Sequence, residues 1–206
     1  MRLFWDRFGL TTDTRVLDVG GTGYNWSLLP HRPRVVVLNL WVPDPGSREG
    51  LTWLIGDGLR LPFRDDEFDV VFSNSVIEHV STAENQRAFA EECRRVGRRY
   101  FVQTPSRFFP IDPHFATPFF HWLPRGLQRP LLRRFTLWGV LTKPSPELQE
   151  RKLRTIRLLD PVAMRRLFPD AEIWRERLLG LTKSVVAATP EPARDSRRPA
   201  FPASGP

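Results

Sequence analysis

The stretch "VLDVGGTGYN", Val16 to Asn25, ends an apolar run with one aspartate and three closely spaced glycines. An apolar run bounded by glycines is typical of a buried strand that enters a tight turn. In an open α/β sheet the first such turn lies at the carboxyl ends of the strands, where ligands bind. Glycines there permit positive φ angles and let a ligand approach the backbone closely. The stretch therefore predicts either a ligand-binding turn or a turn that only closes the fold.

The residue types around this turn argue against a dinucleotide. A G-x-G-x-x-G fingerprint that begins at Gly21 would place its third glycine at Trp26, where an indole prevents close packing. Asp18 lies two residues before Gly20, and its carboxylate would repel a pyrophosphate but attract an ammonium group. A nicotinamide-dependent oxidoreductase is therefore disfavoured.

The rest of the chain predicts an α/β fold, because short apolar runs alternate with segments of helical period. The segment "ENQRAFAEECRRV" places Phe89, Ala90, Cys93 and Val96 on one helical face, which we expect to pack on the sheet. The predicted strands are Val16 to Val19, Arg34 to Leu40, Leu51 to Ile55, Phe68 to Ser73, Tyr100 to Gln103, Ala171 to Glu176 and Lys183 to Ala188.

Length and composition indicate one domain in a reducing compartment. A chain of 206 residues with 41% hydrophobic residues can bury a core without disulfides or metals. Its single cysteine excludes an intramolecular disulfide, and no cluster has the spacing of a zinc site, so we predict no metal. No signal peptide or apolar run of membrane-spanning length is present, which predicts a soluble, cytoplasmic protein. We expect residues 1–188 to form the domain and the proline-containing segment 189–206 to be a disordered tail.

The glycine turn and four later segments resemble the class I S-adenosylmethionine-dependent methyltransferases, specifically the small-molecule, methyltransferase type 11-like group. The later segments follow in the family's order, and the resemblance covers nearly all of residues 15–188. It implies a Rossmann-like, doubly wound, seven-stranded sheet that is mostly parallel with the last strand antiparallel, and S-adenosylmethionine as cofactor across the tips of the first four strands. The four segments are "VVVLNL", "IGDGLRLPF", "FDVVFSNSVIEHV" and "GLTKSVVAAT".

The resemblance also implies contacts to the methionine and ribose parts of the cofactor. Asp18 would engage the methionine ammonium, directly or through water, and the backbone of Gly20, Gly21 and Gly23 would pass beneath the methionine and ribose. Asn39 stands where the family usually has an acid that accepts hydrogen bonds from the ribose hydroxyls. Because neutral hydrogen bonds are weaker than charged ones, we expect cofactor binding to be retained but weaker.

A second group of implied contacts concerns the adenine and the sulfonium. Asp57, in a segment that continues with Gly58 and Leu59, would accept a hydrogen bond from the adenine amino group, and Leu59 would lie beside the ring. Ser73 and Asn74, at the end of the fourth strand, would line the methionine and sulfonium side. The alternatives are that Asp57 caps a turn and that Asn74 fixes a loop.

Residues about 107–155 are predicted to form an aromatic cap inserted after the fifth strand. Eight of the 24 aromatic residues lie between Phe108 and Trp138. The segment from Leu123 to Arg157 contains nine Lys or Arg but only two Glu, so it is strongly basic. Aromatic walls favour a flat or apolar substrate. Leucines mixed with arginines are typical of a helix that lies on a membrane surface or covers a lipid-like substrate. Ordinary packing of a basic, solvated helix accounts for the pattern nearly as well.

The candidates for catalysis are histidines near the expected methyl group. Methyl transfer depends mainly on positioning, and a general base helps when the acceptor is a hydroxyl or a protonated amine. His79 follows the fourth strand, and His114 lies beyond the fifth, where the Asp-x-His spacing allows Asp112 to orient the imidazole. The alternatives are that Glu78 and His79 fix a loop or begin a helix, and that Asp112 and His114 bond to backbone and only shape the cap.

We therefore expect a methyltransferase that uses S-adenosylmethionine and acts on a small or lipid-like molecule, with peripheral membrane contact through the basic aromatic cap. Nucleic acid is disfavoured as a partner because no recognisable nucleic-acid-binding module accompanies the basic charge. The alternative is a non-catalytic binding or scaffold protein of the same fold, which Asn39 and the short N-terminal segment favour. The sequence leaves the acceptor and the oligomeric state open.

Overall fold

The computed structural model describes residues 1–29, 32–42 and 50–190, and the predicted tail lies, from residue 191 onward, outside the described residues. The strands are β1 Arg15–Val19, β2 Arg34–Asn39, β3 Thr52–Ile55, β4 Val70–Asn74, β5 Tyr100–Pro105, β6 Ile111–Asp112, β7 Thr117–Pro118, β8 Glu172–Leu178 and β9 Leu181–Ala188. The helices are α1 Arg2–Phe8, α2 Tyr24–Ser27, α3 Ala83–Val96, α4 Arg125–Phe135, α5 Leu137–Thr142, α6 Pro146–Thr155 and α7 Pro161–Leu167.

The main sheet has seven strands in the order β3-β2-β1-β4-β5-β9-β8. The strands from β1 to β5 pair in parallel, whereas β9 is antiparallel to both of its neighbours. This confirms the predicted doubly wound sheet with an antiparallel last strand. The strand order reverses between β1 and β4, so the ligand crevice of this topology is expected outside their carboxyl ends.

The central strands are buried on both faces, which explains their nearly continuous apolar runs. Val16, Leu17, Val70 and Val71 are fully buried, as is usual in a parallel sheet with helices on both sides. The edge strands β3 and β8 are mostly exposed or half-buried. Asp18 is the one charged residue within β1 that the sheet buries.

Helix α3 covers one face of the sheet through the apolar stripe that the sequence predicts. The Thr82 side chain caps its first turn by accepting from the Asn85 N–H, and its predicted inward residues are all buried. On the other face, Phe4 and Phe8 of α1 are buried with Phe72 and Phe101, whose rings stack with centroids 5.5 Å apart. Phe4 and Phe8 therefore belong to the core.

The chain between β5 and α7 forms the cap, which has a small core of its own. The hairpin of β6 and β7 and the helices α4, α5 and α6 surround this core, whose buried members are Phe115, Phe120, Leu132 and Leu153. Lys152 lies 4.1 Å above the centre of the Trp138 ring in a cation–π contact. Across the residues described, none of the helices is both long and apolar enough to cross a membrane.

Candidate functional site

A cleft of about 330 Å³ lies at the carboxyl ends of the first parallel strands. Of the ten residues that the sequence predicts for the cofactor, the structure brings Gly20, Asn39, Asp57 and Gly58 to its wall. The sequence did not predict the other lining residues as cofactor contacts. One of them, His79, was predicted as catalytic. These other residues are Val19, Thr22, Leu38, Leu40, Trp41, Gly56, Ser75, Val76, His79, Val80 and Phe89.

Two glycines of the first turn leave no room for a side chain. Gly20 has φ +78°, and a Cβ there would lie 2.6 Å from a γ-carbon of Val76. A Cβ on Gly21 would lie 1.9 Å from Asp18 Oδ2. The turn is therefore fixed from the cleft side by Val76 and from below by a buried carboxylate.

Asp18 is buried and is not among the residues that line the cleft. The Trp26 Nε1–H donates to Asp18 Oδ2 at 2.7 Å, and Oδ1 is buried without a hydrogen-bond partner among the described residues. Burial raises the pKa of Asp18 to about 7, although the hydrogen bond from Trp26 acts in the opposite direction. Trp26, which the sequence marked only as an obstacle to a dinucleotide, thus holds the acid beneath the turn.

Asn39 joins the end of β2 to the glycine turn. Its Nδ2 donates to the Gly21 carbonyl at 2.9 Å, and its Oδ1 accepts from the Leu40 N–H at 2.8 Å. A carboxylate could not donate to a carbonyl. An amide at this position therefore makes a bond to the glycine turn that an acid could not make, and it also lines the cleft.

Of the remaining predicted cofactor residues, Asp57 lines the cleft and also accepts from the Leu59 N–H at 2.9 Å, as the turn-capping alternative requires. Four others do not line the cleft. Leu59 packs against the core on the α3 side, and Ser73 is buried, donating to the Val19 carbonyl at 3.0 Å. Asn74 lines a separate pocket on the α1 side of the sheet. Gly23 begins α2 and also lies outside the cleft wall.

The three residues predicted as catalytic lie together beside the cleft. His79 ends a short 3-10 turn after β4 and lines the cleft. Its Nε2 is 3.1 Å from Nε2 of His114, which comes from the cap. His114 Nδ1 is 2.9 Å from Oδ1 of the buried Asp112, which also accepts from the His114 N–H. The Asp-x-His spacing thus orients the imidazole.

Glu78 is a fourth member of this cluster, which the sequence marked only as a residue that fixes a loop. It is fully buried, and Thr104 donates its hydroxyl hydrogen to Oε2 at 2.9 Å. Oε1 has no hydrogen-bond partner among the described residues and lies 3.7 Å from His114 Nε2 and 4.0 Å from His79 Nε2. An acid inside the apolar segment "SVIEHV" was the available signal, because such a residue is buried only with partners.

The two imidazoles have pKa values that move in opposite directions. Burial acts to lower the pKa of His114, but the hydrogen bonds and charges of Asp112 and Glu78 outweigh it and raise the pKa to about 9. Burial lowers the pKa of His79, and the positive charges of His114 and Lys152 act in the same direction against Glu78. At neutral pH the Nε2–H of a charged His114 therefore donates to the lone pair of a neutral His79, so the cluster can hold and move a proton.

Glu78, His79 and His114 are also the group among the described residues whose ligand atoms, all within 4.8 Å of one another, match the spacing of a metal site. The sequence predicted no metal. A cation here would have to displace the Nε2 proton of His114, which two buried carboxylates stabilise. The charges of the group are balanced by that proton.

The chain matches a known family over the part that forms this cleft. Residues 17–100 match the family model described as a methyltransferase domain. Together with the sheet order, this match confirms the resemblance to class I S-adenosylmethionine-dependent methyltransferases. A sequence search of curated proteins finds no match.

Solved structures of low sequence identity share the fold. A SAM-dependent methyltransferase from Aquifex aeolicus is 13% identical with a TM-score of 0.50, covering 91% of this chain and 87% of its own. Magnesium protoporphyrin IX methyltransferase from Synechocystis is 13% identical with a TM-score of 0.54, covering 91% and 80%. A Rhodobacter sphaeroides protein described as a putative Zn-dependent alcohol dehydrogenase is 14% identical with a TM-score of 0.61, covering 91% and 86%. These likenesses concern the fold alone.

The buried Asp18 predicts a specific dependence of stability on pH. Its pKa of about 7 in the folded protein lies above the value of about 4 in an unfolded chain, so the folded state binds more protons between these values. Its contribution is fully present below about pH 4 and is lost as the pH rises through 7, a change of up to about 4 kcal/mol. We expect Asp18→Asn to flatten the plot of unfolding free energy against pH over this range.

Denaturant titrations between pH 4 and 8 measure this effect. Asp13→Asn is the matched control, because Asp13 is an exposed partner of Arg34. An unchanged slope in Asp18→Asn would show that Asp18 is already ionised in the folded protein.

Proposed function

We propose that this protein is a methyltransferase that uses S-adenosylmethionine and acts on a small or lipid-like molecule, with a histidine as general base. The observation that carries the proposal is the chain of groups from Asp112 through His114 to His79, which ends at the wall of the cleft. A proton-accepting group beside a cleft at the switch point of this fold is what transfer to a hydroxyl or amine requires.

The cleft fits the cofactor of the matched family in several respects. Gly20 lacks the Cβ that would collide with Val76, so the turn backbone lies open to the cleft. Asp57 and Asn39 supply acceptor oxygens at its edge, suited to an adenine amino group and ribose hydroxyls, and Phe89 adds an apolar wall. Asp18 does not fit, because its burial leaves the methionine ammonium to be bound by other groups. Leu59, Ser73 and Asn74 also lie outside the cleft wall.

S-adenosylmethionine, when bound, supplies a methyl group that is already activated for transfer. The residues of the chain orient the acceptor and remove its proton. His79 is the base: it is neutral at physiological pH and is the more exposed of the two imidazoles, with 44% of its side chain accessible against 10% for His114. The Nε2–H of His114 can turn to the unpartnered Glu78 Oε1, which frees the His79 lone pair for the acceptor. Two buried carboxylates balance the second imidazolium that results.

The cap supports a lipid-like acceptor and contact with a membrane surface. Helices α4 and α5 leave Leu127, Phe135, Leu137, Val140 and Leu141 exposed. Arginines accompany them on α4, and apolar side chains mixed with cations are suited to an anionic lipid surface. We propose a cytoplasmic enzyme that associates with membranes through this cap face.

A second candidate is a non-catalytic binding protein of the same fold. Asn39 supports it, because both polar ends of its amide already bond within the protein. The pair of His79 and His114 favours the enzyme, because a binding protein does not need one imidazole with a lowered pKa beside another with a raised pKa at the cleft.

Calorimetry with S-adenosylhomocysteine tests the cofactor site. We expect saturable binding that Asn39→Ala weakens about fivefold, since a neutral hydrogen bond contributes about 1 kcal/mol. Asn74→Ala is the matched control, because Asn74 also ends a parallel strand, β4, but lies outside the cleft and should change the affinity less than twofold. Absence of binding to the unmodified protein would contradict the proposal, and equal effects of the two variants would remove Asn39 from the site.

The pH profile of methyl transfer tests the base. We expect kcat/KM to rise with pH through an apparent pKa below about 6.5, because His79 must be neutral, and to fall above about 9, where His114 loses its proton. His79→Gln should lower kcat by about 10² to 10⁴ and abolish the acidic limb. A His79→Gln variant that keeps both the rate and the acidic limb would exclude His79 as the base.

Sedimentation with liposomes tests the membrane contact. We expect binding to vesicles of phosphatidylcholine and phosphatidylglycerol at low salt, and less at high salt. Leu141→Asp should reduce binding at least fivefold, since 72% of Leu141 is exposed on the cap face. Leu179→Asp, at an exposed leucine in the turn between β8 and β9, is the control. Equal binding of the two variants, or none by the unmodified protein, would contradict the contact.

A further inference from the structure

A second cavity, of about 500 Å³, lies within the cap. Its volume is in the range of small-molecule sites. Phe115 and Leu153 provide buried apolar surface, and Ile156 is half-buried beside them. Arg107, Arg125 and Arg157 are exposed and also line the cavity. The cavity therefore joins an apolar interior to a cationic mouth.

The positive charge at this mouth is largely uncompensated. Arg107 lies 3.6 Å from Asp160. Among the described residues no carboxylate lies within 4.0 Å of the Arg125 or Arg157 guanidinium, and Arg157 interacts with Glu84 only at longer range. Guanidinium groups without a protein partner at the edge of a pocket bind carboxylates and phosphates, often through two parallel hydrogen bonds.

The interior holds two buried polar atoms that lack a partner among the described residues, Asp112 Oδ2 and His121 Nδ1. They lie 3.8 Å apart, and both residues line the cavity. His121 Nε2 is 3.0 Å from the Arg107 carbonyl, which can only accept, so Nε2 carries the hydrogen. A buried polar atom without a partner is costly. A hydroxyl between these two atoms donates its hydrogen to Asp112 Oδ2 and, when the His121 ring carries both hydrogens, accepts from Nδ1.

We propose that the cap cavity binds a hydroxyl-bearing amphiphilic anion, with its charged group among the arginines and its hydroxyl at Asp112 and His121. The apolar body of the ligand lies against Phe115 and Leu153. Asp112 is shared between this cavity and His114, so the hydroxyl end meets the proton-handling chain. His114 separates Asp112 from His79, so the hydroxyl in this cavity is not the group that His79 would deprotonate, and the cavity is a ligand site that stands without the proposed function.

Calorimetry with three matched probes tests the cavity in the full chain. The probes are para-hydroxyphenylbutyrate, phenylbutyrate without the hydroxyl, and para-hydroxyphenylbutanol without the charge. We expect saturable binding of the first, and affinities about tenfold lower for each of the others. Arg125→Gln and Arg157→Gln should each weaken binding of the two anions about tenfold and leave the neutral alcohol unchanged. Arg133→Gln is the control, because Arg133 lies on the same helix as Arg125 but outside the cavity lining.

The results separate this proposal from the proposed function. Equal affinities for the three probes, no saturable binding, or the same loss in Arg133→Gln would overturn the cavity proposal, whatever the outcome of the cofactor measurements. Cavity binding without any binding of S-adenosylhomocysteine would leave the ligand site in place and overturn the methyltransferase.

Discussion

The buried hydrogen bond between Trp26 and Asp18 is the interaction on which the cleft depends. It holds a carboxylate directly beneath the first turn, where any side chain at Gly21 would collide with it. Asn39 then fixes the carbonyl of the same glycine from the end of β2. Burying the Asp18 side chain is unfavourable, but it places the carboxyl group directly beneath the Gly21 backbone. The position of the cleft follows from this arrangement.

The second organising feature is the way in which the cap meets the sheet. Glu78 and His79 come from the end of β4, whereas Asp112 and His114 come from the cap, and the four form one network of charges. The Arg157 N–H, just after α6, also donates to the Glu78 carbonyl at 2.8 Å. Because each imidazole contacts a group from the other part, the proton-accepting property exists only in the assembled domain.

The fold could be predicted because the apolar runs of the seven strands and the helical spacing of the apolar residues in α3 are local patterns in the sequence. The pairing of His79 with His114 was predictable in part, because both follow strand ends that meet at one edge of the sheet. The position of Asp18 was not, since an acid at a strand end can point up into a crevice or down into the core. That choice depends on Trp26, eight residues later, whose indole N–H is a donor that spacing alone does not reveal. The place of Glu78 in the cluster was not predicted for a similar reason, because its partner Thr104 belongs to another strand.

The core of the cap is separate from the two cores of the sheet, so its residues can change without disturbing the sheet. Phe115, Phe120, Leu132 and Leu153 pack among themselves and not within the two layers that stabilise the sheet. Substitutions that reshape this compartment leave the energetics of the scaffold largely intact, whereas replacement of Gly21 disturbs the scaffold and the crevice together. The lining of the cap cavity can therefore change over evolution while the crevice at the first turn stays fixed.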